Sequence, residues 1–264
     1  MKKYIFYTLL ILFSSAFTSQ DNRLRTIENE SFTTGEELKY RVHYGFINAG
    51  IATMKISDRI HTVNGRPCYK VDVYGKSVGV FDVFTKIRDN WGAYIDTAAI
   101  LPHKAYRNIE EGKYRKYETT LFDHRNDKVE MQWLDKKTKK VKETKSFKTP
   151  NEILDIVSGY YFLRTLDYSQ YKKGDIITLN AFFDEEIYDF QIRYSGKDKL
   201  NTAVGEINTI VLTPIIPEND LFDGENSIQV WISDDSNKIP LKIKANLFVG
   251  AVEIDIMSYK NSKN

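Results

Sequence analysis

The sequence predicts a mainly β protein: a large curved antiparallel sheet, or an open barrel or sandwich, enclosing or flanked by one main α-helix. Three observations carry this. Much of the 264-residue chain falls into runs whose apolar and polar side chains alternate, the period of a strand with one buried face. One stretch, Thr149 to Lys173, has instead the three- and four-residue apolar spacing of a helix. The 17 Tyr and 15 Phe suit strands and a broad core.

The chain opens with an expected export signal over residues 1–19. Lys2 and Lys3 form a basic start, and Tyr4 to Phe13 an apolar run too short to span a bilayer. Ser14 and Ala16 offer a cleavage site, and a cut near Gln20 also fits. The single cysteine, Cys68, lies far from this signal, so a lipid anchor on a processed N-terminal cysteine is excluded. The mature protein is expected to be exported or periplasmic, soluble and not membrane-spanning. Loss of Lys2 and Lys3 brings the 38 basic residues to parity with the 36 acidic ones, which argues against nucleic acid as a partner. One cysteine makes no internal disulfide, so stability must come from the core.

Residues 20–34 are polar and read as a flexible segment, ahead of a single β-rich domain over 35–260, or two lobes joined at helix 149–167. Leu38, Tyr40, Val42 and Tyr44 alternate with charged residues and predict the first strand. Ile51 to Asp58 follows a bend, Asn64-Gly65 turns the chain into Cys68 to Tyr74, and Val78 to Ile87 reads as a continuation of the sheet. Trp91 to Ile95 is a short strand. Ala105 to Glu111, Lys113 to Asp123 and Lys128 to Leu134 are long charged strands.

Lys136 to Lys148 then holds seven lysines. Two readings stand: a patch for anionic lipid headgroups, or a solvated hairpin whose lysines protect an exposed edge. In the helix, Thr149, Pro150 and Glu152 supply a cap, a first-turn proline and a capping box. Apolar residues at Ile153, Leu154, Ile156, Val157, Tyr160, Tyr161, Leu163 and Leu166 exceed one face, so the helix is expected to be buried on most sides. Gly159 suggests a close approach. Strands follow over Ile176 to Phe183, Glu186 to Tyr194, Asn201 to Pro214, Ile228 to Ser233, Ile239 to Leu247 and Val249 to Met257, with a turn at Phe222 to Glu225.

Gly35 to Gly50 (GEELKYRVHYGFINAG), Asp155 to Tyr168 (DIVSGYYFLRTLDY), Ala203 to Glu206, and above all Val230 to Pro240 (VWISDDSNKIP) followed by Leu247 to Gly250 resemble the DUF3108 family of exported bacterial proteins of unknown function. The resemblance runs over about residues 33–258. It implies a periplasmic, mainly antiparallel β protein and transfers no catalytic residues. Read physically, Trp231, Val249 and the alternating Leu241, Ile243 and Ala245 are expected to be core, and Asp234 and Asp235 to cap turn N–H groups at a hairpin tip.

Catalytic, cofactor and metal sites are all expected to be absent. There is no HExxH, Walker loop, GxSxG or GxGxxG. His43, His61, His103 and His124 have no metal-ligand spacing. Ser158 lies in the helix with no base near it in sequence. Asp184, Glu185, Glu186 and Asp189 read as a solvated strand end rather than a carboxylate pair, and Cys68 as buried filler. Arg164, on an apolar helix, is expected to pair with Asp155 or a strand carboxylate. The function expected is non-enzymatic binding or carriage of an apolar or amphipathic envelope component, such as a lipid, in a concave sheet. The alternatives are an assembly factor acting through an envelope protein partner, and an envelope glycan or lipid hydrolase.

Overall fold

Alternation becomes pairing in the computed structural model, which describes residues 24–216, 222, 224 and 226–264. The signal segment and part of the 222–225 turn lie outside the described residues. In chain order the strands are β1 (Glu37–Tyr44), β2 (Ile47–Ile56), β3 (His61–Val63), β4 (Arg66–Ser77), β5 (Arg88–Asp96), β6 (Pro102–Glu111), β7 (Tyr114–Asp123), β8 (Lys128–Leu134) and β9 (Val141–Lys148). They continue as β10 (Ile176–Phe183), β11 (Glu186–Thr202), β12 (Gly205–Pro214), β13 (Ile228–Ser233), β14 (Pro240–Asn246) and β15 (Ala251–Lys260). Two α-helices accompany them among the described residues: α1 (Gly79–Phe84) and α2 (Ile156–Leu163).

All fifteen strands form one antiparallel sheet, in the order β10-β11-β12-β13-β14-β15-β1-β2-β4-β5-β6-β7-β8-β9, with β3 paired to β4. The sheet is not closed into a barrel. Its edges, β9 and β10, are bridged by the chain between β9 and α2: Thr149 N–H donates to Asp127 O, and Leu154 exchanges backbone bonds with Asn180 and Phe182. Lys145 pairs with Glu185 at 2.7 Å across the same gap. The β1–β15 pairing joins the late strands to the early ones, so distant parts of the sequence become neighbours.

α2 sits inside the curve. Val157 and Tyr161 pack into the core formed by β4 to β8, where Phe32 meets Tyr161 edge-on at 4.7 Å. Leu154, just ahead of the helix, joins the core under β10 to β13. A third cluster, Leu38, Tyr40, Ile239, Leu241 and Ile256, fills the seam between the two halves.

Four expectations need correction. The helix is shorter than Thr149 to Leu166. Glu152 takes a left-handed φ of 57°, and the segment 149–154 is held by Thr149 to the β7–β8 turn and by Leu154 to the edge strand β10. The cap is instead Asp155, whose carboxylate accepts from Val157 and Ser158 N–H while Ser158 Oγ accepts from Asp155 N–H. Second, Val78 to Ile87 is no strand. β4 already has β2 and β5 as neighbours, so this stretch only links β4 to β5. It coils as α1, pinned where Ser77 Oγ and Arg88 both bond to Asp82. Third, residues 24–34 are packed rather than loose: Phe32 and Ser31 are buried, and Ile27 N–H donates to Ala98 O. Fourth, β11 runs on through a bulge at Gly196 to Thr202, where the turn before β12 begins, so one long hairpin replaces two separate strands.

Candidate functional site

The helix has two unlike faces. Val157, Ser158 and Tyr161 are buried. Ile156, Gly159, Tyr160 and Leu163, spaced as one helical stripe, line an apolar hollow of about 590 Å³. Ile156 is 49 % exposed. A Cβ built on Gly159 meets nothing within 4 Å. The helix is therefore not buried on most sides, and its glycine marks open space rather than a close approach.

Facing this stripe, the inward residues of five strands supply the opposite wall. Leu179, Ala181 and Phe183 come from β10, with Tyr188, Phe190 and Ile192 from β11. Leu212 and Pro214 on β12, Val230 and Ile232 on β13, and Ile243 on β14 complete it. Period-two alternation put each set on one face, and sheet curvature turned that face toward α2.

Two charged residues reach the hollow, and both are committed to the protein. Arg164 and Glu36, each 1 % exposed, form a two-pronged pair with both N···O distances 2.7 Å. Arg164 also donates to the carbonyls of Asn237 (3.1 Å from Nε) and Ser31 (3.0 Å), and its own carbonyl accepts from Ser31 Oγ. Burial disfavours its charge, but hydrogen bonding and attraction to Glu36 outweigh this and raise its pKa. The partner is thus Glu36, at the entry to β1, and not Asp155. Asp155 is occupied as the helix cap, and burial raises its pKa. The lining is otherwise apolar: the Tyr160 hydroxyl is itself buried, and the Tyr188 hydroxyl donates to Glu186.

The other candidates resolve into structure. Ser158 Oγ belongs to the capping box. Cys68 is fully buried, and burial followed by the nearby Asp96 pushes its thiol up to about 12, which makes it inert. Asp184 accepts from Arg107 and Lys116 at 3.0 and 2.7 Å, and its pKa is lowered by those bonds, Lys116 first. Glu186 pairs with the Tyr188 hydroxyl, so these acids do not converge as a catalytic pair. Asp235 accepts from Ser233 Oγ and from Asn237 and Lys238 N–H, and Asp234 meets Lys197 at 2.7 Å. This hairpin tip turns Asn237 O toward Arg164, which ties the Trp231 to Pro240 stretch to the helix.

Of the histidines, His61 bonds to Ser57, His103 to Asp96 and His124 to Pro102 O. His43 comes within 2.6 Å of Asp255 and 3.9 Å of Glu253, a trio that separation in sequence had hidden. Lys242 bridges both of those carboxylates, with Arg41 3.8 Å from Asp255 and Lys244 3.9 Å from Glu253, so the protein's own cations already neutralise the cluster. A second cavity, polar and about 470 Å³, lies between His103, His124, Asp123 and Arg125. Its polar walls are bonded within the protein at Asp96, Pro102 O and the Asp123 turn.

The family model described as protein of unknown function, DUF3108, matches residues 39–257. The chain belongs to the DUF3108 family. One solved structure agrees with the sheet architecture. A β-barrel-like protein of the DUF1849 family from Brucella abortus is 8 % identical, with a TM-score of 0.53, covering 90 % of this chain and 98 % of its own. A candidate lipoprotein from Parabacteroides distasonis (8 % identity, TM-score 0.36, 89 % and 99 % covered) is more distant. So is a candidate exported protein with a YmcC-like fold from Bacteroides fragilis (7 %, 0.37, 89 % and 100 %). No curated protein matches the chain. This DUF3108 protein has no helix, among the described residues, long and apolar enough to cross a membrane.

Proposed function

We propose that this DUF3108 protein is an exported, non-enzymatic envelope protein that holds an acyl-chain-bearing amphipathic molecule between α2 and the sheet. The observation that carries this is the hollow of about 590 Å³ with a nearly all-apolar wall and one helix face open to it at Ile156 and Gly159. Hollows of this size and lining suit small apolar ligands, and an exposed apolar surface this continuous is uncommon without an occupant. Arg164 and Asp155 are already satisfied, so the hollow has no charge to offer a headgroup; the ligand's polar end would stay at the mouth, in water. The apolar run at the start of the sequence supports export.

Native mass spectrometry of protein purified from its own cells, followed by uptake of a fluorescent long-chain fatty acid by the delipidated protein, tests this. A lipid-sized adduct and saturable uptake are expected. A clean apo mass together with no uptake would overturn the reading.

A further inference from the structure

The geometry points to a second surface: the end of the sheet that carries the β1–β2 turn, α1 and the β14–β15 turn is a rim that docks on an anionic lipid bilayer. Strand register places these connections together. Tyr44 lies opposite both Ile47 and Val252, and Gly50 opposite Ser77, which leads into α1. Tyr44 Oη donates to Val249 O, Val78 N–H to Ala49 O, and Gly112 N–H to Lys86 O. The row therefore runs from the β14–β15 turn through β1–β2 and α1 to the β6–β7 turn. The β8–β9 turn closes it, with Lys139 over the Tyr117 ring.

Two independent features of this row fit a bilayer. The first is apolar side chains aimed at water from three separate connections. Phe46 is 107 % exposed, Val83 85 % and Phe84 83 %; Val249, expected in the core, is 77 % exposed because it falls in the β14–β15 turn rather than on a strand, and α1 buries no residue at all. They are carried by three separate connections, an arrangement that suits insertion into a fluid apolar phase. The second is charge. Lys76, Lys86 and Lys113 are exposed on the same rim, and Lys136, Lys137 and Lys140 stand on the β8–β9 turn at that end. Lysines around apolar tips are the pairing that draws a protein to anionic headgroups and then holds it. The reading does not require the hollow to be filled. It gives the lysine run over residues 136–140 a role beside the edge-strand lysines of β9, which is the terminal strand of the sheet.

Co-sedimentation of the full chain with vesicles of phosphatidylcholine, alone or mixed with phosphatidylglycerol, tests the proposal. The comparison variant combines Phe46→Asp, Val83→Asp and Phe84→Asp; the wild-type side chains are exposed, so its thermal midpoint should match wild type. Any binding by the apolar run at residues 4–13 is common to both proteins, so the difference reports the tips. Wild type is expected to pellet with the anionic vesicles and the variant to bind at least about tenfold more weakly. A Lys136→Gln, Lys137→Gln, Lys140→Gln variant should bind more weakly and lose salt sensitivity. Wild type left in the supernatant, equal binding by the tip variant, or no preference for the anionic lipid would each overturn the proposal. So would self-association of wild type that the tip variant abolishes, with no vesicle binding; that would assign the tips to a second copy. Fatty-acid uptake measured without vesicles separates this result from the fate of the carrier reading.

Discussion

Replacing Gly159 by leucine distinguishes a hollow from a packed helix face. In a helix interior glycine costs about 0.5–1 kcal/mol relative to alanine, and leucine is nearly as good a helix former as alanine. A Cβ there meets nothing within 4 Å, so the first added carbon brings no clash to offset that gain. The new side chain would lie between Ile156 and Leu163 on the stripe that lines the hollow, and would bury apolar surface against the strand wall. Partial burial adds a fraction of the roughly 1.5–3 kcal/mol of a fully buried leucine. The net expectation is stabilisation by about 1 kcal/mol, a rise of roughly 2–4 °C in the thermal midpoint for a chain of this size. The same side chain occupies ligand space, so uptake of a fluorescent fatty acid should fall several-fold, about 1 kcal/mol of binding. Scanning calorimetry and fluorescence titration on the same preparation give both numbers. A lowered midpoint would mean that Gly159 does face a packed neighbour. A raised midpoint with unchanged uptake would mean that the hollow is not where the ligand sits.

Glu36→Gln leaves the buried Arg164 guanidinium without its counter-charge and should cost about 3–5 kcal/mol in urea unfolding, with Arg164→Met/Glu36→Leu recovering much of it. Val157→Ala, at a buried position, should cost about 1–3 kcal/mol, whereas Ile156→Ala on the half-open face should cost under about 1 kcal/mol; equal midpoint shifts would contradict the two-faced helix. Burial depresses the His124 pKa below the ordinary imidazole value of 6.5, so the unfolded chain binds its proton first. Its contribution is fully present above that value and is lost as pH falls through it toward the folded pKa. Stability should therefore drop as pH falls below about 6.5, and His124→Asn should flatten that part of the profile.

The sequence by itself determined the class of fold, because period two is a local property: Leu38 to Tyr44 and Tyr188 to Tyr194 declare their buried faces without knowing their neighbours. It located the helix and showed Arg164 to be a charge that needs a partner. It also singled out the lysine run at residues 136–148. It misplaced the cap, since Thr149 and Asp155 both satisfy local capping rules; the choice fell to Asp155 when Thr149 was drawn into a bond with the β7–β8 turn and Leu154 into bonds with β10. It missed α1, because Val80, Phe81, Val83 and Phe84 have strand propensity, and only the occupied flanks of β4 denied them a partner. Gly159 shows the limit most clearly. A glycine in an apolar helix is the same letter whether a backbone presses on it or a cavity lies beyond it. Strand order and sheet curvature decided which. The same long-range pairing set Glu36 against Arg164 and His43 against Asp255, and put the lysines of one turn at the same end of the sheet as the phenylalanines of two others, placements that no local pattern can encode.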